Sequence, residues 1–316
     1  MSSGANIRLY YVEEVEKGKI PEDAQLKGVR RITDGLTESV ETETSESVGS
    51  NRFRQGSIVS TTEVTGTLET ELSILMFDDF WSAVAMNDWA VNKLEFGGKN
   101  LKTFTFVKVY EDLDLAFCYS GVAFNEATLT IGVTGKITAS FGLIGMGFVK
   151  GKLSDPENSK LKELVDAADK VEDMAMVSTP DVKSFKVNGE TTVNKACAQN
   201  FELTISNNIE AIRCIGSGST QANNLVEKMV DVEVTSEFIF SKDSAIYVDA
   251  IKDRSTISME LNIVDPRSKT KAYTIELPHL EVSSVDHPDG GGEDTIMISP
   301  TFAHTMVTPI FKRVTA

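Results

Sequence analysis

Residues Glu63–Met86 read EVTGTLETELSILMFDDFWSAVAM, and the pattern changes halfway along. From Val64 to Leu72 the apolar or small residues are Val64, Gly66, Leu68, Thr70 and Leu72. Glu63, Thr65, Thr67, Glu69 and Glu71 fall between them. A period of two is the signature of a half-buried strand, here with one wet and acidic face. Phe77, Phe80, Trp81 and Val84 then recur at helical spacing. Asp78 and Asp79 stand in the first turn, where the helix dipole favours negative charge.

The same pattern returns at Val230–Ile251, VDVEVTSEFIFSKDSAIYVDAI. Val230, Val232, Val234, Ser236 and Phe238 alternate with Asp231, Glu233, Thr235 and Glu237. A short helix follows, with Ile246, Tyr247, Ala250 and Ile251 expected on its buried side. Laid over the first stretch without a gap, Val64 falls on Val230, Leu68 on Val234, Glu71 on Glu237, Phe80 on Ile246 and Trp81 on Tyr247. A strand and a helix repeating in one register predict an internal duplication.

The chain has 316 residues, enough for two domains of ordinary size. Its apolar content of 41% can fill two cores. No apolar run approaches the ~18 residues of a membrane helix, and MSSGANIRLYYVEE at the start lacks the apolar stretch of a secretory signal. Cys118, Cys197 and Cys214 are odd in number and widely spaced. They predict reduced, at least partly buried thiols rather than a disulfide framework or a zinc site. A formal net charge of −16 opposes binding to nucleic acid or to anionic membranes.

Along the chain, residues 1–28 read as a polar arm and Val29–Thr33 as a strand. Residues 37–57, TESVETETSESVGSNRFRQGS, form a long polar loop or hairpin arm. After the strand–helix unit, Phe96-Gly97-Gly98 signals a hairpin. Strands are expected at 102–110, 116–124, 126–134 and 136–144. Residues 150–180 break the β pattern. Leu161, Leu164, Val165, Ala168 and Val171 form an apolar stripe there, expected as an amphipathic linker helix. The second half begins at Asp181, with strands at 184–187, 201–206, 256–264, 271–277, 279–285 and 295–303. The polar loop Ile215–Asn224 precedes its copy of the repeated strand. The expected domains are therefore 1–149, a helical linker at 150–180, and 181–316. The expected fold class is mainly β, sandwich- or barrel-forming, with one short helix per repeat.

Catalytic patterns are sparse. His279 and Glu281 share one face of a predicted strand, and Asp286-His287-Pro288-Asp289 places ligand types in a turn, but either fits an ordinary strand end or turn better than a metal site. The third histidine, His304, also lies in the second half. Asp112 and Asp114 suit a solvated turn. Gly290-Gly291-Gly292 lacks the Lys and Ser/Thr of a phosphate loop, and Gly142, Gly145 and Gly147 do not open a βαβ unit. Phe77, Phe80 and Trp81 fit a buried helix face better than a ligand groove. No cofactor, metal site or enzymatic activity is expected.

An ordered set of segments resembles the tail tube (major tail) proteins of long-tailed bacteriophages. It comprises Tyr11-Val12-Glu13-Glu14, Gly18, Pro21, Arg31-Ile32-Thr33, the Ser/Glu-rich loop, Arg52–Gly56, V-x-G-x-L-x-x-E-L at 64–72 and Phe77–Trp81. Lys102–Phe106, Tyr119–Ile144, Phe201–Ser206, Val230–Phe240 and Tyr273–Pro278 continue it. The charged helix at 155–175 departs from the family, where a Pro/Thr-rich linker is usual.

The resemblance implies a non-enzymatic structural virion protein. It would be assembled in the host bacterial cytoplasm into stacked rings, which form the hollow tube through which phage DNA is ejected. Strands of all subunits would close one inner barrel, leaving no sheet edge open. Two fused copies would complete a pseudo-sixfold ring as a trimer. Partners would be the chain itself and the tail tip, terminator and tape-measure proteins, with DNA in transit only and no membrane insertion. An acidic strand face suits a DNA conduit, since repulsion prevents adhesion. Lumen-lining candidates are Glu63, Glu69, Glu71, Asp231, Glu233 and Glu237. Candidates for contacts between rings are Glu41, Glu43, Arg52 and Arg54, and for the helix core Phe77, Phe80, Trp81, Ile246 and Tyr247. Alternatives are a β-sandwich binding module, such as an adhesin or a carbohydrate- or receptor-binding protein, and the tube protein of a phage-derived injection machine.

Overall fold

In the computed structural model, described for residues 3–21, 23–47, 53–171, 174–194, 196–286 and 289–315, the alternating stretch at 64–71 is part of a 15-residue strand. Strand β1 (Ile7–Glu13), β2 (Thr37–Thr44) and β3 (Ser57–Glu71) precede helix α1 (Asp78–Ala85). Then come β4 (Lys93–Glu95), β5 (Phe104–Tyr110), β6 (Leu115–Gly132), β7 (Thr138–Gly145), β8 (Gly147–Lys152) and helix α2 (Ser159–Asp166). The second half contributes β9 (Val182–Val187), β10 (Ala198–Ser206), β11 (Asp231–Ile239), helix α3 (Ile246–Asp253), β12 (Thr256–Val264), β13 (Ala272–Val285), β14 (Pro300–His304) and β15 (Ile310–Val314).

Two antiparallel runs recur. In the first half β2 pairs with β3, β3 with β7, and β7 with the C-terminal part of β6. In the second half β10 pairs with β11, β11 with β14, and β14 with the C-terminal part of β13. The N-terminal parts of β6 and β13 cross into a second layer. There β6 lies between β5 and β8, with β1 beyond β5. Likewise β13 lies between β12 and β15, with β9 beyond β12. The two inner runs are joined edge to edge, because Glu126–Gly132 of β6 pairs with Asn200–Ser206 of β10.

The dry face of this sheet carries the residues that alternation assigned to it. Val64, Leu68, Leu129, Phe141, Leu203 and Val234 are all buried. On it Phe80 meets Phe124 at 4.7 Å and Phe141 at 5.4 Å between ring centres. Trp81 crosses Phe141 at 5.3 Å and 65°, and Tyr247 crosses Phe302 at 5.6 Å and 86°. Both are edge-on arrangements of the kind aromatic quadrupoles favour. Trp81 and Tyr247 thus occupy matching places in the two halves.

Several expectations are corrected. The polar arm at 1–28 contains β1, which runs along the whole of β5 and buries Leu9 and Tyr11. Of the segment 29–33, residues 29–32 are irregular, flanked by two-residue strands at Lys27–Gly28 and Thr33–Asp34. The strands expected at 116–124 and 126–134 are one strand, β6, bent by a register shift between Phe124 and Glu126. A bulge keeps a strand continuous while it turns from one layer to the other. For the same reason 271–277 and 279–285 are one strand, β13, with shifts in its ladders.

Phe96-Gly97-Gly98 is not a hairpin. Its preceding strand β4 pairs with β15, more than 200 residues away in sequence. Gly98 instead closes the end of α1, donating to the Ala85 carbonyl at 3.0 Å. A Cβ there would lie 2.0 Å from the Met86 carbonyl oxygen.

Phe77, Phe80, Trp81 and Tyr247 are buried as expected, but Ile246 is 49% exposed and Ile251 38%. Helix α3 buries only Tyr247 and Ala250, whereas α1, of equal length, buries Phe80 to Ala85 because Phe311 and Asn207 also lie against it. The expected amphipathic helix is present as α2. Its Leu161, Leu164 and Val165, with Ala168 just beyond, pack on Leu26, Val107, Val109 and Ala116. Val171 is 44% exposed. Cys118 and Cys197 are half-buried as read, whereas Cys214 is exposed on a loop.

Candidate functional site: the acidic face of the shared sheet

The wet face of the inner sheet is assembled row by row from strands distant in sequence. Glu69 stands opposite Ser140, Ser140 opposite Thr128, Thr128 opposite Thr204, Thr204 opposite Glu233, and Glu233 opposite Ala303. The neighbouring row runs Thr67, Gly142, Glu126, Ser206, Asp231. The six residues read as an acidic stripe, Glu63, Glu69, Glu71, Asp231, Glu233 and Glu237, therefore lie on one side of one continuous sheet. Short hydroxyl side chains separate them. Thr128 and Thr204 hydroxyls are 3.2 Å apart, and Ser206 donates to Glu126 at 3.2 Å.

The sequence reading missed Glu126, Glu202 and Glu281. Glu281, opposite Ala303, continues the first row and Glu126 stands in the second, while Glu202 lies in a third that runs from Glu71 through Thr138 and Thr130, and Thr130 donates to Glu202 at 3.4 Å. The signal was present, since each alternates with buried neighbours: Ala127, Leu203 and Val282. These strands were read singly, so their shared side was not visible. None of the eight inner strand segments (37–44, 57–71, 123–132, 138–145, 198–206, 231–239, 280–285, 300–304) contains Lys or Arg.

The acidic residues are not equivalent. Glu71 is half-buried and bridges Arg30 at 3.0 Å and Lys136 at 3.1 Å. Glu63 is paired with Arg213 at 3.1 Å. Glu69 accepts from Thr33 at 2.9 Å, and Asp231 from Asn208 at 2.7 Å. The charge neutralised at Glu63 and Glu71 sits toward the two ends of the β3 ladder. The middle rows keep Glu69 and Glu233 exposed.

The polar loop at 37–57 is a hairpin arm. Strands β2 and β3 pair from Thr37–Thr65 to Thr44–Ser57. Glu41, Glu43 and Arg54 are exposed on it, and Arg52 lies outside the described residues. Glu41 accepts from Thr61 at 3.0 Å. The arm also exposes Val40, Phe53, Ile58 and Val59. Its base is held against β5 of the second layer. The Lys108 ammonium, buried, lies 2.9 Å from Asp34 and donates to the Leu36 carbonyl at 3.0 Å.

Elsewhere the polar groups are structural. His279 shares a 3.0 Å hydrogen bond with Thr305, which donates to Glu281 at 2.9 Å. His304 is held neutral by burial and by His279, its pKa lowered to about 4. His287 lies outside the described residues. Burial pushes the Cys118 thiol up to about 11, which keeps it protonated and unreactive. Among the described residues no group of three or more His, Cys, Asp or Glu could hold a metal ion, and no helix is long and apolar enough to cross a membrane. The aromatic residues Phe77, Phe80 and Trp81 are 2% exposed or less, so they form no ligand groove.

The fold is thus that of an antiparallel β protein with one acidic sheet face and a projecting hairpin. The family model described as phage tail tube protein matches residues 4–303. The chain belongs to that family and is a structural protein of the virion tail. No curated protein matches. Among solved structures, a chain of the virion of a native gene transfer agent particle is similar over 44% of this chain and 90% of its own length, at 10% identity and a TM-score of 0.24.

Proposed function

We propose that three copies of this chain close into a ring with pseudo-sixfold symmetry, and that stacked rings form a tube whose acidic inner face lets DNA slide past. The observation that carries this reading is the pair of open edges at opposite ends of one sheet. Among the described residues, β2 pairs only with β3, and residues 282–285 of β13 pair only with β14. The matching order of ladders in the two halves supports a duplication, divided at about residues 150–180. In that correspondence β10 takes the place of β2. The joint between β6 and β10 inside the chain is then the template for a joint between β13 of one copy and β2 of the next. Pairing them would remove both edges at once.

Glu63, Glu69, Glu71, Asp231, Glu233 and Glu237, with Glu126, Glu202 and Glu281, would line the lumen. The absence of Lys and Arg from these strands supports passage of a polyanion without binding. The arm, with Glu41, Glu43 and Arg54, would reach the adjacent ring and bury its exposed apolar residues there. The role is non-enzymatic, and assembly takes place in the host bacterial cytoplasm, with tip, terminator and tape-measure proteins as partners.

Electron microscopy of the purified chain at high concentration tests the reading. Hollow rings or tubes with three chains per ring are expected. Six chains per ring would overturn the fused-pair geometry, and a chain that stays monomeric with the other tail proteins present would overturn the tube reading altogether.

A further inference from the structure

Strand β3 outruns its neighbour. The β3–β7 ladder ends where Val64 meets Gly145, so residues 57–63, the inner strand of the arm, have a ladder partner only in β2. The facing edge is instead occupied by a loop from the second half. Thr62 N–H donates to the Thr220 carbonyl at 3.2 Å, and the two threonine hydroxyls are 3.3 Å apart. The Arg213 guanidinium donates to the Thr62 carbonyl at 3.0 Å, to Glu63 at 3.1 Å and to the Thr220 carbonyl at 3.4 Å. One planar group thus ties both strands of the contact.

The loop that carries Arg213 is itself anchored. It contains a small hairpin, in which Glu210–Ile212 pairs with Asn224–Val226. At its root, buried Asn207 donates to the carbonyls of Val84 in α1 and Phe124 in β6, each at 3.0 Å. Ile209 N–H donates to the Asn125 side chain at 2.7 Å. The brace is therefore fixed to the first half's helix and to the bend of its longest strand.

We propose that Arg213, with the Thr220 backbone, is a positioning device. The second half uses it to set the direction of the first half's arm, so that the arm is presented in one orientation to another copy of the chain. An unbraced two-stranded ribbon is marginally stable and twists strongly. Hydrogen bonds from a charged donor to carbonyls at its base restrain both motions. The brace needs only the contacts above, whereas its role in docking rests on the tube reading.

The test compares Arg213→Ala with Glu63→Gln in the full chain, reading amide hydrogen exchange before assembly and tube formation by electron microscopy. Arg213→Ala is expected to speed exchange across residues 57–63 by about tenfold or more, leave residues 64–71 unchanged, and reduce tube formation. Glu63→Gln keeps the bonds from Arg213 to the two carbonyls, so exchange across residues 57–63 should match the parent chain. Unchanged exchange in Arg213→Ala would overturn the brace, and so would an equal effect from Glu63→Gln, which would make the contact a matter of charge alone. If Arg213→Ala unfolds the chain, Arg213→Lys, which keeps the charge but not the planar fork, is read the same way. Accelerated exchange with normal tubes would overturn the docking role. A parent chain that forms no tubes would count against the tube reading, with the exchange comparison still deciding the brace.

Discussion

Arg313, in the last strand, pairs with Asp78, at the start of the first helix, across 235 residues of chain. Both side chains are largely buried. The guanidinium also lies 4.4 Å from the ring centre of Trp89 and donates to the Val91 carbonyl at 3.0 Å. Tyr273 donates to the other oxygen of Asp78 and accepts from Leu75 N–H at 2.8 Å. Burial pushes the Asp78 carboxyl up, and the bonds from Tyr273 and Arg313 pull it back down. Next to this cluster Phe311 packs against Trp81 at 5.1 Å and Phe96 at 4.7 Å. The two halves are thus fastened at a second place, away from the β6–β10 ladder.

Removing one member of that buried pair leaves the other charged and uncompensated. Arg313→Ala is expected to lower stability by about 3 kcal/mol, the lower end of what such losses cost. Arg313→Lys should recover only part, because a compact ammonium cannot both stack on Trp89 and hold two acceptors. Urea unfolding of the three chains checks this, and equal midpoints would show that the pair does not hold the halves together.

Gly66 lies under the turn that starts the arm. Gly35 N–H donates to the Thr67 carbonyl at 2.9 Å, and a Cβ on Gly66 would sit 2.4 Å from the Gly35 carbonyl oxygen. Both neighbours are backbone, so the strain has no flexible side chain to absorb it. Gly66→Ala should cost about 2 kcal/mol through overpacking, read as a lower thermal midpoint. Gly292→Ala, where nothing lies within 4 Å, should leave that midpoint in place.

Charge reversal tests the proposal that the acidic face lines a DNA conduit. Glu69→Lys with Glu233→Lys changes two exposed positions on one row of the wet face, so folding should be retained. The variant tubes should acquire salt-dependent affinity for DNA that the parent tubes lack. Filter binding at low and moderate salt measures it, and no difference between the two would place this face away from the lumen.

His304 sets a pH dependence. Its folded pKa, about 4, lies below the ordinary 6.5 because of burial and the neighbouring His279. Above pH 6.5 the group is neutral in both states and contributes nothing. Between 6.5 and 4 only the unfolded chain takes up the proton, so stability falls as pH drops through this window and levels off below it. Thermal midpoints measured from pH 7 to 4 should fall less steeply in His304→Gln. Parallel curves would assign the acid sensitivity to other groups.

The local pattern of the chain determined most of the residues that face the core, and that a short helix follows each of the two alternating strands. Val64, Leu68, Phe77, Phe80, Trp81, Val234 and Tyr247 were assigned by periodicity alone, because burial on one face of a strand or helix forces that spacing. The acidic stripe was legible for the same reason, from Glu63 to Glu71 and from Asp231 to Glu237. Tertiary structure decided what those stripes amount to. Only the β3–β7–β6–β10–β11 ladders place Glu69 and Glu233 in one row, and only they add Glu126 and Glu202. Pairing partners such as β4 with β15, or Thr62 with Thr220, are distant in sequence and leave no local period. The continuity of β6 and β13 was hidden because a bulge interrupts the alternation that marks a strand. Ile246 illustrates the opposite limit: its position on the helix is a matter of sequence, but its exposure depends on what the rest of the fold sets against that helix.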